Sequence, residues 1–172
     1  MSTLQVYKED AHLMGNHFEL SVVSDNPEWA HDCIQAGINE IQRIEKKLTT
    51  FSSESETAKI NEMAGIRAVE VSLETIELIE RSIKISQITQ GAFDITYGSI
   101  DKKLWNFDEK MTALPDKETA KKMVRLINYR NIIIDKKEST VFLKEKGMRI
   151  GFGGIGKGYA RSEERRVGKE CL

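Results

Sequence analysis

Residues 148–160, MRIGFGGIGKGYA, decide how this chain is read. Met148, Ile150 and Phe152 alternate like a short strand, which opens into Gly151, Gly153, Gly154, Gly156 and Gly158 with Lys157 and Tyr159 among them. Glycines at this density after a strand mean that the backbone passes close to something a side chain would block. The usual partner is a phosphate, held by free N–H groups at a helix start and by a nearby cation. Lys157 is that cation, so the segment points to a phosphorylated ligand of nucleotide type. A glycine-rich bend packing a helix tightly onto a sheet is the other reading of the same residues.

Two familiar phosphate motifs fit poorly. Gly151, four residues, Gly156 and Lys157 match a P-loop until Gly158, where serine or threonine should hold Mg²⁺. No strand–turn–helix crossover with a later acidic residue follows, so a dinucleotide fold is disfavoured as well.

Working outward, Phe18, Leu20 and Val22 alternate with His17, Glu19 and Ser21 as a half-buried strand. Asp25-Asn26-Pro27 starts a long helix whose stripe is Ala30, Ile34, Ile38, Ile41 and Leu48, with Ile44 beside it. A loop over Ser52 to Glu56 leads to a short helical segment reaching Met63 and stopped at Ala64-Gly65. Val69 and Val71 suggest a short strand. Ser72 caps a second long helix with Leu73, Ile76, Ile79, Ile83 and Ile88 inward, ended by Gly91. Asp116 to Ile127 reads as a polar helix, and Ile132–Ile134 with Thr140–Leu143 as a hairpin around 135–138. Hairpins mixed with two long amphipathic helices indicate an α+β fold with a mixed sheet.

After Ala160 the chain changes character. Arg161 to Cys171, RSEERRVGKEC, has no apolar period and replaces the helix that should follow the glycines. The run matches an in-frame translation of a common sequencing adaptor. The expected organisation is therefore one domain over 1–160 and a non-native tail over 161–172. A genuine charged tail is the alternative.

Composition bounds the function. With 172 residues the chain fits one domain with a real core, and a net charge of −1 gives no electrostatic case for nucleic acid or an acidic membrane. Charged residues at 31% and aromatics at 7% describe a globular chain rather than a disordered or membrane one. Cys33 and Cys171 support neither a disulfide framework nor a metal cluster. No apolar run near the N-terminus suits a signal peptide or membrane span, so the expected compartment is the cytoplasm.

A second segment carries chemistry. Gly91-Ala92-Phe93-Asp94-Ile95-Thr96 places a carboxylate and a hydroxyl after a helix-ending glycine, followed by Leu104-Trp105-Asn106-Phe107. Asp94 can accept from ribose hydroxyls or a base edge, and Phe93 or Trp105 can cover a flat ring. Asp94 as a turn former and the aromatics as core are the competing reading. His12, His17 and His31 form no ligand set, and Ser52, Ser53 and Ser55 lack a histidine or acid at nucleophile spacing, which leaves a solvated loop.

Several of these pieces occur in one order: Met14-Gly15, Ile44-Glu45 ahead of Leu48-Thr49-Thr50-Phe51, Ser55 to Asn61, Gly91 to Thr96, Leu104 to Phe107, and Gly153 to Ala160. In this the chain resembles the ApbE family, the FAD:protein FMN transferases once called thiamine biosynthesis lipoproteins, over about Leu13 to Ala160. The resemblance implies binding of FAD and Mg²⁺ and transfer of FMN to a threonine or serine hydroxyl of an acceptor flavoprotein, with release of AMP. It further implies that Met14 and Phe51 line the flavin site and that Ala92, Phe93 and Asp94 hold another part of FAD. Gly151 and Lys157 stand where the family contacts FAD, and Gly154 where a backbone oxygen reaches the metal. Two departures stand out. Gly151 replaces a frequent aspartate, and Phe51 replaces a frequent tyrosine, keeping stacking but losing the hydroxyl. The family's acidic metal ligands belong to a later segment, so the resemblance makes this chain an N-terminal and inactive part. A non-catalytic flavin- or nucleotide-binding module is the alternative. Family members are often exported and lipid-anchored, which this N-terminus does not support.

Overall fold

The computed structural model describes residues 3–100 and 116–170. Leu104-Trp105-Asn106-Phe107, Pro115 and Cys171 lie outside the described residues. The chain divides into two compact units, Met1–Thr49 with Gly153–Leu172, and Thr50–Phe152.

In the first unit, β1 (Gln5–Leu13) and β2 (Asn16–Ser24) form an antiparallel hairpin. Its turn is Met14-Gly15, with φ of 52° and 66°, the left-handed pair that a two-residue hairpin loop requires. The sequence pattern showed only β2. The inward face of β1 carries Tyr7, Glu9 and Ala11 before Leu13, so it lacks the apolar alternation that reveals a strand.

Helix α1 (Pro27–Leu48) begins as expected, with the Asn26 side chain accepting from the Trp29 N–H at 3.1 Å. Ala30, Ile34, Ile38, Ile41, Ile44 and Leu48 are all buried, and the helix packs on both hairpin strands and on the C-terminal helix. Gly37 allows this closeness, since a Cβ there would stand 2.8 Å from Leu20 Cδ2.

That C-terminal helix runs over Gly156–Glu170 and passes through the Ala160–Arg161 junction without a break. The charged run therefore extends the helix instead of replacing it. Arginine, glutamate and lysine are good helix formers, and Glu163 pairs with Arg166 one turn on at 2.9 Å. Helicity of these residues is independent of their origin.

The second unit holds α2 (Glu56–Glu62), β3 (Val69–Glu70), α3 (Leu73–Ile88), α4 (Lys117–Val124), β4 (Ile132–Asp135) and β5 (Thr140–Leu143). Its sheet has the order β3-β5-β4, antiparallel throughout. Ser55 is not part of a solvated loop. It is buried and caps α2 by accepting from the Ala58 N–H at 2.9 Å. Gly65 stops the segment at φ 72°, with backbone of Lys146 so close that a Cβ would fall 2.5 Å from its nitrogen.

The inward stripe of α3 also differs from expectation. Thr75, Ile76, Leu78, Ile79, Ser82 and Ser86 are buried, whereas Leu73 and Ile88 occupy the helix ends and are exposed. The serine hydroxyls enter the core satisfied, Ser82 donating to the Leu78 carbonyl at 2.8 Å and Ser86 to that of Ser82 at 3.0 Å. Helix α4 is shorter than predicted, because the chain turns at Arg125 toward a 3₁₀ turn at Tyr129–Asn131. Among the described residues no helix is long and apolar enough to cross a membrane.

Candidate functional site

The glycine segment has two halves of opposite character. Met148, Ile150, Gly151 and Phe152 are buried, and their backbone joins no strand ladder. Side chains and one carbonyl substitute for the missing neighbours. Ser99 Oγ accepts from the Arg149 N–H at 2.9 Å and donates to its carbonyl at 3.2 Å. Asn61 accepts from the Ile150 N–H through Oδ1 at 2.7 Å and donates to the Ile150 carbonyl through Nδ2 at 3.0 Å. The Gly151 N–H reaches the Ile95 carbonyl at 2.9 Å. Three consecutive residues are thus fixed by two elements of the second unit, α2 and the 3₁₀ turn Ile95–Ser99.

The downstream half belongs to the first unit and is open. Gly153, Gly154, Lys157 and Gly158 are exposed, with Lys157 and Gly158 in the first turn of the C-terminal helix, α5. A Cβ at Gly158 would meet no atom within 4 Å, and its φ is not left-handed. The protein's own packing and conformation therefore do not demand glycine there. A cleft of about 440 Å³ lies beside this turn, lined by Asn16, His17 and Glu19 of the hairpin and by Lys157, Gly158 and Arg161. Lys157 and Arg161 at its edge suit an anion, while Glu19 and Glu164 in the same lining oppose one.

Met14 is half-buried at the hairpin turn, and its N–H donates to Glu45 Oε1 of α1 at 2.9 Å. Glu45 thereby fixes the turn that carries Met14. Glu45 belongs to the Ile44-Glu45 motif of the sequence, and this hydrogen bond gives it a role in the fold. Phe51, in the second unit, is 89% exposed. Ala92 is exposed and Phe93 half-buried, just after Gln90 and Gly91 leave α3 with φ of 53° and 87°.

Asp94 is already well occupied. Its Oδ1 accepts from the Thr96 N–H at 2.8 Å and the Thr96 hydroxyl at 2.7 Å, and its Oδ2 from the Tyr129 N–H at 2.9 Å. The Thr96 hydroxyl in turn accepts from the Asn128 N–H at 2.8 Å. This network caps the 3₁₀ turn Ile95–Ser99 and ties it to the turn at Tyr129–Asn131. A carboxylate accepts about four hydrogen bonds, so one position of Asp94 remains for a ligand. Met14, Gly154 and Lys157 thus belong to one unit, and Phe51, Ala92, Phe93, Asp94 and Gly151 to the other.

A family model described as the ApbE family matches residues 14–170. The chain belongs to the ApbE family. An FAD:protein FMN transferase of Klebsiella pneumoniae (strain 342) is 31% identical over 159 residues, covering 92% of this chain and 49% of that protein. The crystal structure of the ApbE protein of Thermotoga maritima superimposes with a TM-score of 0.87 at 28% identity, covering 97% of this chain and 53% of that one. The flavin transferase ApbE of Vibrio cholerae shares the fold, with a TM-score of 0.85 at 16% identity over 98% of this chain and 54% of its own. The chain spans about half the length of these ApbE relatives.

The metal implied by the resemblance is a separate matter. Mg²⁺ takes several hard oxygen ligands in near-octahedral geometry. Among the described residues no group of three His, Cys, Asp or Glu side chains could hold a metal ion. The Gly154 carbonyl would be a single ligand, and Asp94 spends most of its acceptor capacity inside its own unit. The residues described do not make a complete magnesium site.

Proposed function

We propose that this chain is the N-terminal, FAD-binding part of an ApbE flavin transferase that moves FMN from FAD to a threonine or serine hydroxyl of an acceptor flavoprotein. One observation carries the FAD reading. Lys157 and Gly158 face solvent in the first turn of α5 beside a cleft, and the protein does not itself need glycine at 158. A phosphate approaching that turn meets N–H groups, the positive end of a helix and an ammonium group. The pyrophosphate of FAD has this chemistry.

In the proposed reaction the acceptor oxygen forms a new bond to the phosphorus of the FMN half. The bond from that phosphorus to the bridging oxygen breaks, AMP leaves with the bridging oxygen, and the hydroxyl proton goes to solvent or a base. Catalysis of such a substitution rests on positioning and charge neutralisation. Lys157 would offset pyrophosphate charge, Met14 and Phe51 would contact the flavin, and Ala92, Phe93, Asp94 and Gly151 would take other parts of FAD. Gly154 would contribute one carbonyl to Mg²⁺, whose site the described residues do not complete.

The same incompleteness favours a second reading, a flavin- or nucleotide-binding module without catalysis. Under the first reading residues 161–172 are a non-native tail after a domain over 1–160. FAD titration by flavin fluorescence tests the FAD premise, since a chain that does not bind FAD defeats the first reading and leaves of the second only a module for another nucleotide. Incubation with FAD, Mg²⁺ and an acceptor protein, followed by in-gel flavin fluorescence, should show no covalent label on the acceptor. A Mg²⁺-dependent label would show that this chain supplies a sufficient site. The gene downstream of the Ala160 codon separates the readings: a continuing frame with an Asp-rich segment supports the transferase, and a stop after Leu172 the module.

A further inference from the structure

We infer that Asn61 is a positioning residue for the buried backbone at Gly151, acting as a one-residue substitute for a neighbouring strand. This rests on the reading of Gly151 as an FAD contact. The carboxamide of Asn61 makes both hydrogen bonds to Ile150 that an adjacent strand would make, at 2.7 Å to the N–H and 3.0 Å to the carbonyl. Asn61 and Ile150 are 89 residues apart, so the pair is a tertiary tie and not a local turn. Ser99 repeats the device on Arg149 with one hydroxyl, and the Ile95 carbonyl completes the row at Gly151. Gly98 lets this second arm approach, because a Cβ there would lie 3.3 Å from the Arg149 carbonyl oxygen and 3.4 Å from that of Ile150.

The geometry explains why amide chemistry is needed at position 61. The side chain must accept at one atom and donate at the other, which asparagine does and ionised aspartate does not. With a carboxylate at 61, the buried Ile150 carbonyl would lose its donor and face a negative oxygen. Protonation of that aspartate restores an O–H donor beside a carbonyl acceptor. Ile150 itself is fully buried, so water cannot replace the lost partner at low cost. The row ends on Gly151, whose path then follows from Asn61 and Ser99 and not from its own side chain.

The test is Asn61→Asp in the full chain, read by amide hydrogen exchange at Ile150 and Gly151 and by FAD titration between pH 7.5 and pH 4.5. At pH 7.5 the protection factors of both amides should fall about tenfold or more, with a matching loss of FAD affinity. Both should recover toward the unsubstituted chain as the pH falls, while Asn61→Ala, which has nothing to protonate, should stay impaired. Ser99→Ala, at a more exposed position, should lower protection at Arg149 with a smaller effect on FAD. Unchanged protection at Ile150 in Asn61→Asp and Asn61→Ala would overturn the inference. Loss of protection with unaltered FAD affinity would leave the clamp but overturn its link to the ligand, and with it the role of Gly151. Absence of FAD binding in every protein, with the exchange pattern as described, would defeat the FAD reading and leave the backbone clamp standing.

Discussion

The two halves of the glycine segment differ in who holds them. Residues 149–151 are held by Ser99, Asn61 and the Ile95 carbonyl, while Gly153, Gly154, Lys157 and Gly158 face solvent. The first half holds one glycine, Gly151, and the second holds Gly153, Gly154, Gly156 and Gly158, and only the second leaves a glycine side open, as the empty space at Gly158 shows. At Gly151 a Cβ would meet the Tyr97 hydroxyl at 3.6 Å, which is ordinary contact. Glycine content alone therefore does not mark a ligand surface. The distinction lies in whether the protein or a ligand supplies the neighbour.

The largest effect should come from removing the support of the pinned half. Asp94 organises the 3₁₀ turn that presents Ile95 and Ser99, and it satisfies the N–H of the buried Tyr129. Asp94→Ala would orphan that N–H and the Thr96 N–H, a loss of about 2–3 kcal/mol for hydrogen bonds to a charged acceptor. Thermal melts should show a clear drop in Tm, and hydrogen exchange should rise at Gly151, whose partner is Ile95. FAD affinity measured per folded molecule distinguishes the two roles of Asp94. A normal affinity makes it a structural tie alone, whereas a loss beyond the folded fraction assigns its remaining acceptor position to the ligand.

At the open half the pattern should reverse. Lys157→Ala removes an exposed ammonium group that no core packing depends on, so Tm should stay within about 1 °C. FAD affinity should fall about tenfold, near 1.4 kcal/mol for one charge-assisted contact to a phosphate. Unchanged titration curves would take Lys157 out of the site and erase the contrast between the halves.

This contrast sets what was legible in the sequence. The stripe of α1, the caps at Asn26 and Ser72 and the 132–143 hairpin follow from periodicity and capping chemistry, which are local. The clamp is not local. Asn61 and Ser99 find Arg149 and Ile150 only after α2 and the 3₁₀ turn have folded, and single polar residues carry no periodic signal. Strand β1 escaped for a related reason, since Glu9 takes an inward position and pairs at long range, accepting from the Gln35 side chain at 3.2 Å. That Lys157 stays out of the core was legible from its place among the glycines. The division of the glycine segment between two compact units was not, because compact units arise only from the whole fold.

The smallest effect concerns the helix behind the open half, over its charged run. Glu164 of α5 sits against α1, its Oε2 3.5 Å and its Cβ 3.8 Å from where a Gly37 Cβ would be. Burial pushes its carboxyl above the usual range, against the opposing pull of Arg165 and Arg161. Around it α1 presents Cys33, Ile34 and Ile41, β2 presents His17 and Glu19, and α5 itself adds Lys157. A group whose folded pKa is raised contributes stability that is fully present below its unfolded value, about 4.3 for glutamate. That contribution is lost as the pH rises through the raised folded value. Glu164→Gln removes the titration, so its Tm should exceed that of the unsubstituted chain near pH 7 and the gap should close on acidification. Partial exposure limits the gap to about 1–2 °C. Glu19 and Asp116, whose carboxyls are lowered by Lys8 and by Thr119, act in the opposite direction but are common to both proteins. The difference between the two melting profiles therefore isolates Glu164. A gap that is constant across pH 4.5 to 7.5 would mean that the carboxyl titrates as it does in water, and that the charged half of α5 docks on α1 without cost.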